Sequence, residues 1–458
     1  MMARVFTLAT LVGCVGQRQA SDTTAIKLAA TTSPLATPGM ASPGTASPGN
    51  AVAAVAPTPG AVTAEGARSA APLVVTTPPR IRLYGFFKPT VIVANGAVES
   101  YGQSNASGIT NAGNPAYAGL PERGRLSFQM AQSRLGLWIG EDRPLKGQVE
   151  VDFVDITKAS PTASLPRLRI AKLEWRPTEH LTLLAGQDWQ LVQPVNPHGA
   201  DYIGALMEAG NSSFTRHQVR ALWTTGPVEL GAEVGMQSAN NLAKDAALEV
   251  SLTPSFALRV QYNLGGSSRL GVDGIATSVL YNAGAPGEAR AFAGAAGVYG
   301  DLTLARIVNL RFEGYIGQNS ANLSLLTLAQ GRPGTDVHDA GAFVSAKVAA
   351  TDRLAVYGRF GGAAVLDPRD VVPAYSYGGA ALDPPPPLGS AVLAGTGPGL
   401  KSNFTSSVGM DLNLVGGFSI LVEGFWYRTR FALMEVDAGR VSAVSRVVGT
   451  EVALLWLL

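Results

Sequence analysis

Long segments in which polar and apolar side chains strictly alternate narrow the folds open to this chain more than any other feature. In GQVEVDFVDI (Gly147–Ile156), Gln148, Glu150 and Asp152 fall on one side of an extended strand, and Val149, Val151 and Phe153 fall on the other. The same period runs through VNLRFEGYIG, where Leu310, Phe312 and Ile316 oppose Asn309, Arg311, Glu313 and Tyr315. In PSFALRVQYN, Phe256, Leu258, Val260 and Tyr262 oppose Arg259 and Gln261, and in TRHQVRALW, Val219, Ala221 and Trp223 oppose Arg216, Gln218 and Arg220. A soluble sandwich also alternates, but its strands are usually about five or six residues long. Segments of about ten residues match what a tilted strand needs to cross a bilayer.

Composition agrees with an apolar exterior and many turns. Charged residues make up 15% of the chain and glycine contributes 53 of 458 residues, against about a quarter charged and about 7% glycine in ordinary soluble domains. The formal charge of +2 is not concentrated in a basic patch, so a nucleic-acid partner is not expected. Outside the first residues there is no apolar run approaching the ~18 that a transmembrane helix requires, which leaves strands as the spanning element.

The N-terminus reads as addressing and reach. MMARVFTLATLVGCVG places Arg4 before an apolar run that ends at the single cysteine, Cys14, which resembles a short export signal over residues 1–14. Leu11-Val12-Gly13-Cys14 resembles a bacterial lipobox, so Cys14 is either a lipidation site or a cysteine inside a discarded signal peptide. One cysteine allows no intrachain disulfide. Residues 15–79 are rich in Pro, Ala, Ser and Thr, with ASPG at Ala41 and again at Ala46. That composition buries too little to offset its ordering entropy, and a disordered periplasmic linker is expected.

Residues 80–458 are expected to form an all-β transmembrane barrel, antiparallel and up-and-down. Short turns fit at 141–144, 176–180, 224–227, 253–255, 304–306, 350–353 and 415–417. Between them lie longer segments at about 95–125, 158–164, 193–213, 239–245, 265–289, 320–338, 367–402 and 435–442, a rhythm typical of outer-membrane barrels. The alternation predicts sixteen strands, provided that Arg269–Asn282 (RLGVDGIATSVLYN) is loop; two strands there would give eighteen. The last segment, GTEVALLWLL, aligns Thr450, Val452, Leu454, Trp456 and Leu458 on one face. It resembles the C-terminal signal read by the bacterial barrel-assembly machinery, with Leu where that signal usually has Phe.

The run AQSRLGLWIGEDRPLKGQVEVDFVD (Ala131–Asp155), followed by RLRIAKLEW (Arg167–Trp175) and LLAGQDWQL (Leu183–Leu191), resembles the DcaP-like outer-membrane porins of Gram-negative bacteria, with the phosphate-selective porins more distant. The likeness is strongest over residues 81–230. It implies a sixteen-stranded, trimeric channel for small negatively charged solutes, dicarboxylates among them. Separately, the residues give no reason to expect a cofactor or metal. The Pro/Ala-rich linker and the lipobox-like Cys14 depart from that family.

The face opposite each apolar row should line the pore. It carries Arg134, Arg216, Arg220, Arg259, Arg311, Lys347 and Arg359, and also Glu150, Asp152, Glu229, Glu233, Glu313, Asp411, Glu423 and Glu451. Seven basic and eight acidic groups fix no selectivity by count, because the sign at the constriction outweighs the average. Arg216 and Arg220, close after the long 193–213 segment, are the candidate anion-gripping pair; the alternative for each is a cross-strand brace. His180, His198, His217 and His338 show no metal or catalytic spacing, and no Gly-x-Ser-x-Gly elbow occurs. The reading is therefore a non-enzymatic diffusion porin of the outer membrane, against two alternatives: a barrel enzyme, or a surface anchor or adhesin on the Pro/Ala-rich linker.

Overall fold

The computed structural model describes residues 78–95, 124–153, 166–200, 206, 209–213, 215–236, 253–281, 288–305, 307–323, 336–367, 376–377, 400–435 and 439–458. The expected export signal, Cys14 and nearly all of the expected linker lie outside the described residues.

Among the described residues, nineteen strands form one sheet. They are β1 (Ile81–Phe87), β2 (Thr90–Ala94), β3 (Arg125–Gln129), β4 (Arg134–Ile139), β5 (Leu145–Asp152), β6 (Arg167–Trp175), β7 (Leu181–Trp189), β8 (Thr215–Thr225), β9 (Val228–Gly235), β10 (Ser255–Gly265), β11 (Ser268–Tyr281), β12 (Ala289–Leu304), β13 (Val308–Gln318), β14 (His338–Ala349), β15 (Leu354–Val365), β16 (Ser376–Tyr377), β17 (Leu400–Asn413), β18 (Phe418–Glu435) and β19 (Gly439–Leu457). β1 and β2 are one stave of the wall, interrupted at Lys88 and Pro89, where proline has no N–H to donate. β3 and β4 are likewise one stave, interrupted by a turn in which Ser133 N–H donates to the Met130 carbonyl. β16 is a two-residue parallel pairing with β18. What remains is a closed antiparallel barrel of sixteen staves.

Closure joins first stave to last. Phe86 pairs with Leu457 and Phe87 with Trp456, and beyond the Lys88–Pro89 break Thr90 pairs with Ala453 and Ala94 with Gly449. Lys88, fully buried, welds the seam: its Nζ donates to Glu451 (2.7 Å) on the last stave and to Gln132 (2.6 Å) on the second. At the same end of the barrel the short turns bond to one another round the ring. Gly140 N–H donates to Arg80, Arg176 to Pro144, Thr224 to His180, Asn263 to Pro227, Ala349 to Ile307, Asn413 to Arg353 and Leu457 to Gly417. The chain terminus shares this end, with Leu458 N–H donating to the Gly85 carbonyl.

The faces follow the sequence period. Val149, Val219, Phe256, Leu258, Val260, Ile316, Val452, Leu454 and Trp456 are exposed on the outside, while Glu150, Asp152, Arg216, Arg220, Arg259, Glu313 and Glu451 point inward and are buried. The glycine content has a packing cause. Aromatic rings lie over glycines directly opposite them on the neighbouring strand at Tyr84–Gly136, Tyr299–Gly271, Tyr315–Gly341, Tyr357–Gly409 and Phe425–Gly449. A methyl group at Gly271 would sit 2.3 Å from the Tyr299 ring, so the missing side chain is the seat for the ring.

Three sequence expectations need correction. Within Arg269–Asn282, residues Arg269 to Tyr281 are not loop: they belong to strand β11, which pairs with β10 from Ser268 to Ala276 and with β12 from Arg269 to Tyr281. The tight turn of that hairpin is at Gly265–Ser267, where Gly265 and Gly266 have φ of 100° and 61°, and not at 253–255. Thr253–Ser255 instead leads into β10 from the opposite end of the barrel. The count of sixteen survives because one strand was missed at β11 while another had been placed before Thr253, a position outside the described residues. Finally, of the segment expected as an external loop at 435–442, residues 435 and 439–442 belong to the β18–β19 ladder, which runs to Glu435↔Gly439.

The seam makes a test. Replacing Lys88 with Met leaves the Glu451 carboxylate buried without its cation, a change that typically costs about 3–5 kcal/mol. The compact band of unboiled protein on a denaturing gel should therefore convert to the unfolded band at a clearly lower temperature than in the parent, and an unchanged conversion temperature would remove Lys88 from the closure.

Candidate functional site

The described residues of the 193–213 segment, 193–200, 206 and 209–213, do not project outward. From the end of β7, residues 190–200 run along the inside of the wall, and their backbone is laced to it rung by rung. Leu191 N–H donates to Glu233 on β9 (2.6 Å), Gln193 to Asp273 on β11 (2.7 Å), Val195 to Glu313 on β13 (2.6 Å), His198 to Ser345 on β14 (2.9 Å) and Ala200 to Glu423 on β18 (2.8 Å). Carbonyls on the same segment accept from arginines: Leu191 from Arg259 on β10 (3.0 Å), Asn196 from Arg311 on β13 (3.1 Å) and His198 from Arg359 on β15 (3.2 Å), with Arg220 on β8 donating to Trp189. A backbone inside a barrel has no neighbouring strand to pair with, so wall carboxylates and guanidinium groups stand in for the missing ladder. Hydrogen bonds to ionised groups are worth about 1.5–3 kcal/mol each, roughly twice a neutral one.

Apolar contacts add to the lacing. Leu191 and Val192 pack with Ala257, Ile275, Val279 and Ala293; Val195, Leu206 and Ala209 pack on Tyr299 and Phe343; Ala200 packs on Leu421, Ala453 and Leu455. These inward-facing wall residues break the expectation of an all-polar lumen, and the loop covers them. Gln193 and Leu206 have φ of 52° and 58°, sparsely populated for non-glycine residues. At Gln193 the Asp273 bond and the flanking packing of Val192 and Val195 hold the conformation. Largely buried and facing Arg311, the His198 imidazole has its pKa pulled down to about 4, burial being the larger cause. It is neutral above that pH; because Asn309 Nδ2 donates to Asp301, Asn309 Oδ1 is the acceptor and His198 Nε2 carries the proton of their 2.7 Å bond.

The remaining candidates sort by partner. Glu150 accepts from Arg169 and Tyr84, and Asp152 accepts both nitrogens of the Arg167 fork. Arg216 donates to Ser255, Gln190 and the Leu323 carbonyl, and Arg220 also bonds Gln218 and Glu233; both guanidinium groups are buried. Glu229 pairs with Arg259 (2.6 Å), Arg311 with Asp301 (3.2 Å) and Lys347 with Asp411 (3.0 Å). Arg359 pairs with Glu423, fully enclosed. Arg134 lies over the Phe86 ring, 5.4 Å from its centroid. The four histidines sit apart, on a turn (His180), in the inner loop (His198), and on outward positions of β8 and β14 (His217 and His338).

Sequence reasoning missed Arg167, Arg169, Lys172 and Asp273 as inward groups. On β6 a bulge opposite Glu150 and Val151 shifts the register, so that Arg167 and Arg169 point inward on one parity and Lys172 on the other. No single period of two collects them. Asp273 was lost with the misread β11, although Arg269, Gly271, Asp273 and Ile275 alternate with Leu270, Val272, Gly274 and Ala276.

If the lacing fixes the loop, Asp273→Ala with Glu313→Ala should free its middle, raising single-channel conductance and open-state noise in planar bilayers. Asp273→Asn with Glu313→Gln keeps an acceptor oxygen at each place and should behave close to the parent. Equal traces from the Ala and amide pairs would show that packing alone holds the segment.

No protein-family model matches the chain, and no curated protein does. Among solved structures, the outer membrane channel DcaP of Acinetobacter baumannii is 14% identical, with a TM-score of 0.57 over 83% of this chain and 98% of that one. The anion-selective porin from Comamonas acidovorans is 10% identical, with a TM-score of 0.51 over 83% of this chain and all of that one. The similarity to each is one of fold, and this chain has the fold of the DcaP-type porin barrel.

Proposed function

We propose that this chain is an outer-membrane porin that lets small polar solutes diffuse through a water-filled lumen, with a preference for anions, carboxylates among them. The carrying observation is the unequal exposure of the two signs. The carboxylates of Glu233, Glu313 and Glu423 are buried as acceptors of the loop N–H groups. Where inner-wall ion pairs meet water, the cation is the exposed member: side-chain exposure is 21% for Arg167 against 0% for Asp152, 31% for Arg311 against 13% for Asp301, and 33% for Lys347 against 14% for Asp411. Arg259–Glu229 runs the other way, at 9% against 18%. A nearly balanced count thus presents a net positive face to a passing solute. Attraction of a passing carboxylate to these groups is one of charge, since Asp152 occupies the Arg167 fork and Asp301 and the Asn196 carbonyl accept from Arg311. Two proteins of similar fold, the outer membrane channel DcaP and an anion-selective porin, support the same reading.

In this reading the long loops face outside, the short turns and both termini face the periplasm of a Gram-negative cell, and residues 15–79 link the barrel to whatever holds the N-terminus. Outer-membrane lipid surrounds the wall, the barrel-assembly machinery inserts it, and three copies associate. Arg216 and Arg220, enclosed by protein, act as braces that fix the root of the loop.

Reversal potentials in a KCl gradient test the assignment. Arg167→Gln, Arg311→Gln and Lys347→Gln together should lower anion preference with little loss of conductance, most visibly below 0.1 M salt, where screening extends beyond about 10 Å. Arg216→Ala with Arg220→Ala should lower heat stability and leave selectivity in place. The opposite pattern would return the anion path to Arg216 and Arg220, and a barrel that neither swells liposomes nor conducts would overturn the porin reading.

A further inference from the structure

The outward face of β18 and β19 is apolar for most of its length: Val422, Val448, Val452, Leu454 and Trp456 lie on it, and Trp426 closes it toward the long-loop end. The next outward position beyond Trp426 is Arg428. Directly opposite it in the ladder stands Arg446, and Arg430 follows two residues on. Arg430 and Arg446 are exposed and Arg428 is half-exposed. Like charges facing each other across adjacent strands are destabilising, since their Cβ atoms are only about 4.5–5.5 Å apart. Among the described residues no carboxylate bonds any of the three. On its other side Arg428 faces Phe404, and Arg430 faces Ser402.

Depth identifies what could relieve the repulsion. From the rung of Phe418 and Trp456 to that of Arg428 and Arg446 the rise is about 33 Å along the strands, or about 25 Å in depth at a tilt of about 40°. That is close to the height of the apolar band of such barrels, which ends in an aromatic girdle at headgroup level. The three guanidinium groups therefore sit just past a tryptophan, where acyl chains end and headgroups begin. Arginine forks match phosphate oxygens in pairs.

We propose that Arg428, Arg430 and Arg446 form an outward-facing site for a phosphate-bearing lipid headgroup at the long-loop rim of the barrel. The acyl chains of that lipid lie along Trp426, Val448 and Val408, and its phosphate bridges the facing arginines. The site is separate from the solute path, on the other side of the wall. It rests on the outer-membrane reading only for the lipid that fills it, a phosphorylated glycolipid of the outer leaflet.

Native mass spectrometry of the full chain released from a neutral detergent tests this, with lipid A, a bis-phosphorylated acylated disaccharide, as the probe. The parent should retain lipid A and retain phosphatidylcholine poorly. Arg428→Gln/Arg430→Gln/Arg446→Gln should retain at least tenfold less lipid A while still running as a compact unboiled band. Equal retention by parent and variant overturns the site, as does complete displacement by millimolar inorganic phosphate, which would mark an anion site without lipid specificity. A second variant, Arg446→Glu, converts the repulsive pair into a salt bridge. In lipid-free detergent its compact band should persist to a higher temperature than the parent's, with no further gain on adding lipid A; conversion at or below the parental temperature overturns the premise of unrelieved repulsion. Conductance reports the lumen alone, so a barrel that conducts but retains no lipid A refutes this site and leaves the porin reading standing, and the converse result does the reverse.

Discussion

Everything in this structure depends on the requirement that backbone N–H and C=O groups in an apolar medium be paired within the protein. An open sheet would leave two edges of unpaired groups in lipid, each costing several kcal/mol, so the ladder must return to its first stave. That return happens at β1, β2 and β19, where a proline break would otherwise weaken the join. The buried Lys88, bonded to Glu451 and Gln132, ties together the three staves that meet there. Closure then divides the side chains into two populations, and the outward one must be apolar wherever lipid touches it.

The same requirement acts a second time inside the barrel. A loop entering the lumen carries polar backbone into a space with no strand beside it. Glu233, Asp273, Glu313 and Glu423 accept the loop's N–H groups, while Arg259, Arg311 and Arg359 donate to its carbonyls. The lumen charges thus have two functions that compete. In the porin proposed above, carboxylates that hold the loop are withdrawn from the water path, while Lys347 and Arg167, each more exposed than the acid it pairs with, remain at its surface. Charge balance in the sequence and charge at the pore surface are therefore different quantities, and burial separates them.

How legible each element was depends on whether it keeps a single period. β8, β10, β13 and the last strand alternate without interruption, and their faces could be read directly, down to Val219 and Trp223 outside and Arg216 and Arg220 inside. β6 could not be read this way, because its bulge reverses parity between Arg169 and Lys172. β11 alternates cleanly and reads as strand, but with a turn at 253–255 an even strand count requires it to be loop; its pairing with β10 and β12 shows it as wall and moves the turn to Gly265–Ser267. The paired glycines and aromatics, such as Gly271 with Tyr299, are likewise invisible to a one-dimensional pattern, since the partners lie on different strands.

By itself the sequence determined the class of fold and the side on which most wall residues lie, because period two is a property of consecutive residues and survives without tertiary context; the number of staves needed the pairing of β10, β11 and β12. What only the tertiary structure decided is the course of residues 190–200. Nothing local distinguishes LVQPVNPHGA from an external loop; its path is set by Glu, Asp and Arg side chains contributed from six strands further along the chain. The same holds for the opposition of Arg428 and Arg446, which follows from the hairpin register, because two residues that far from the turn meet only once every intervening pair has been counted.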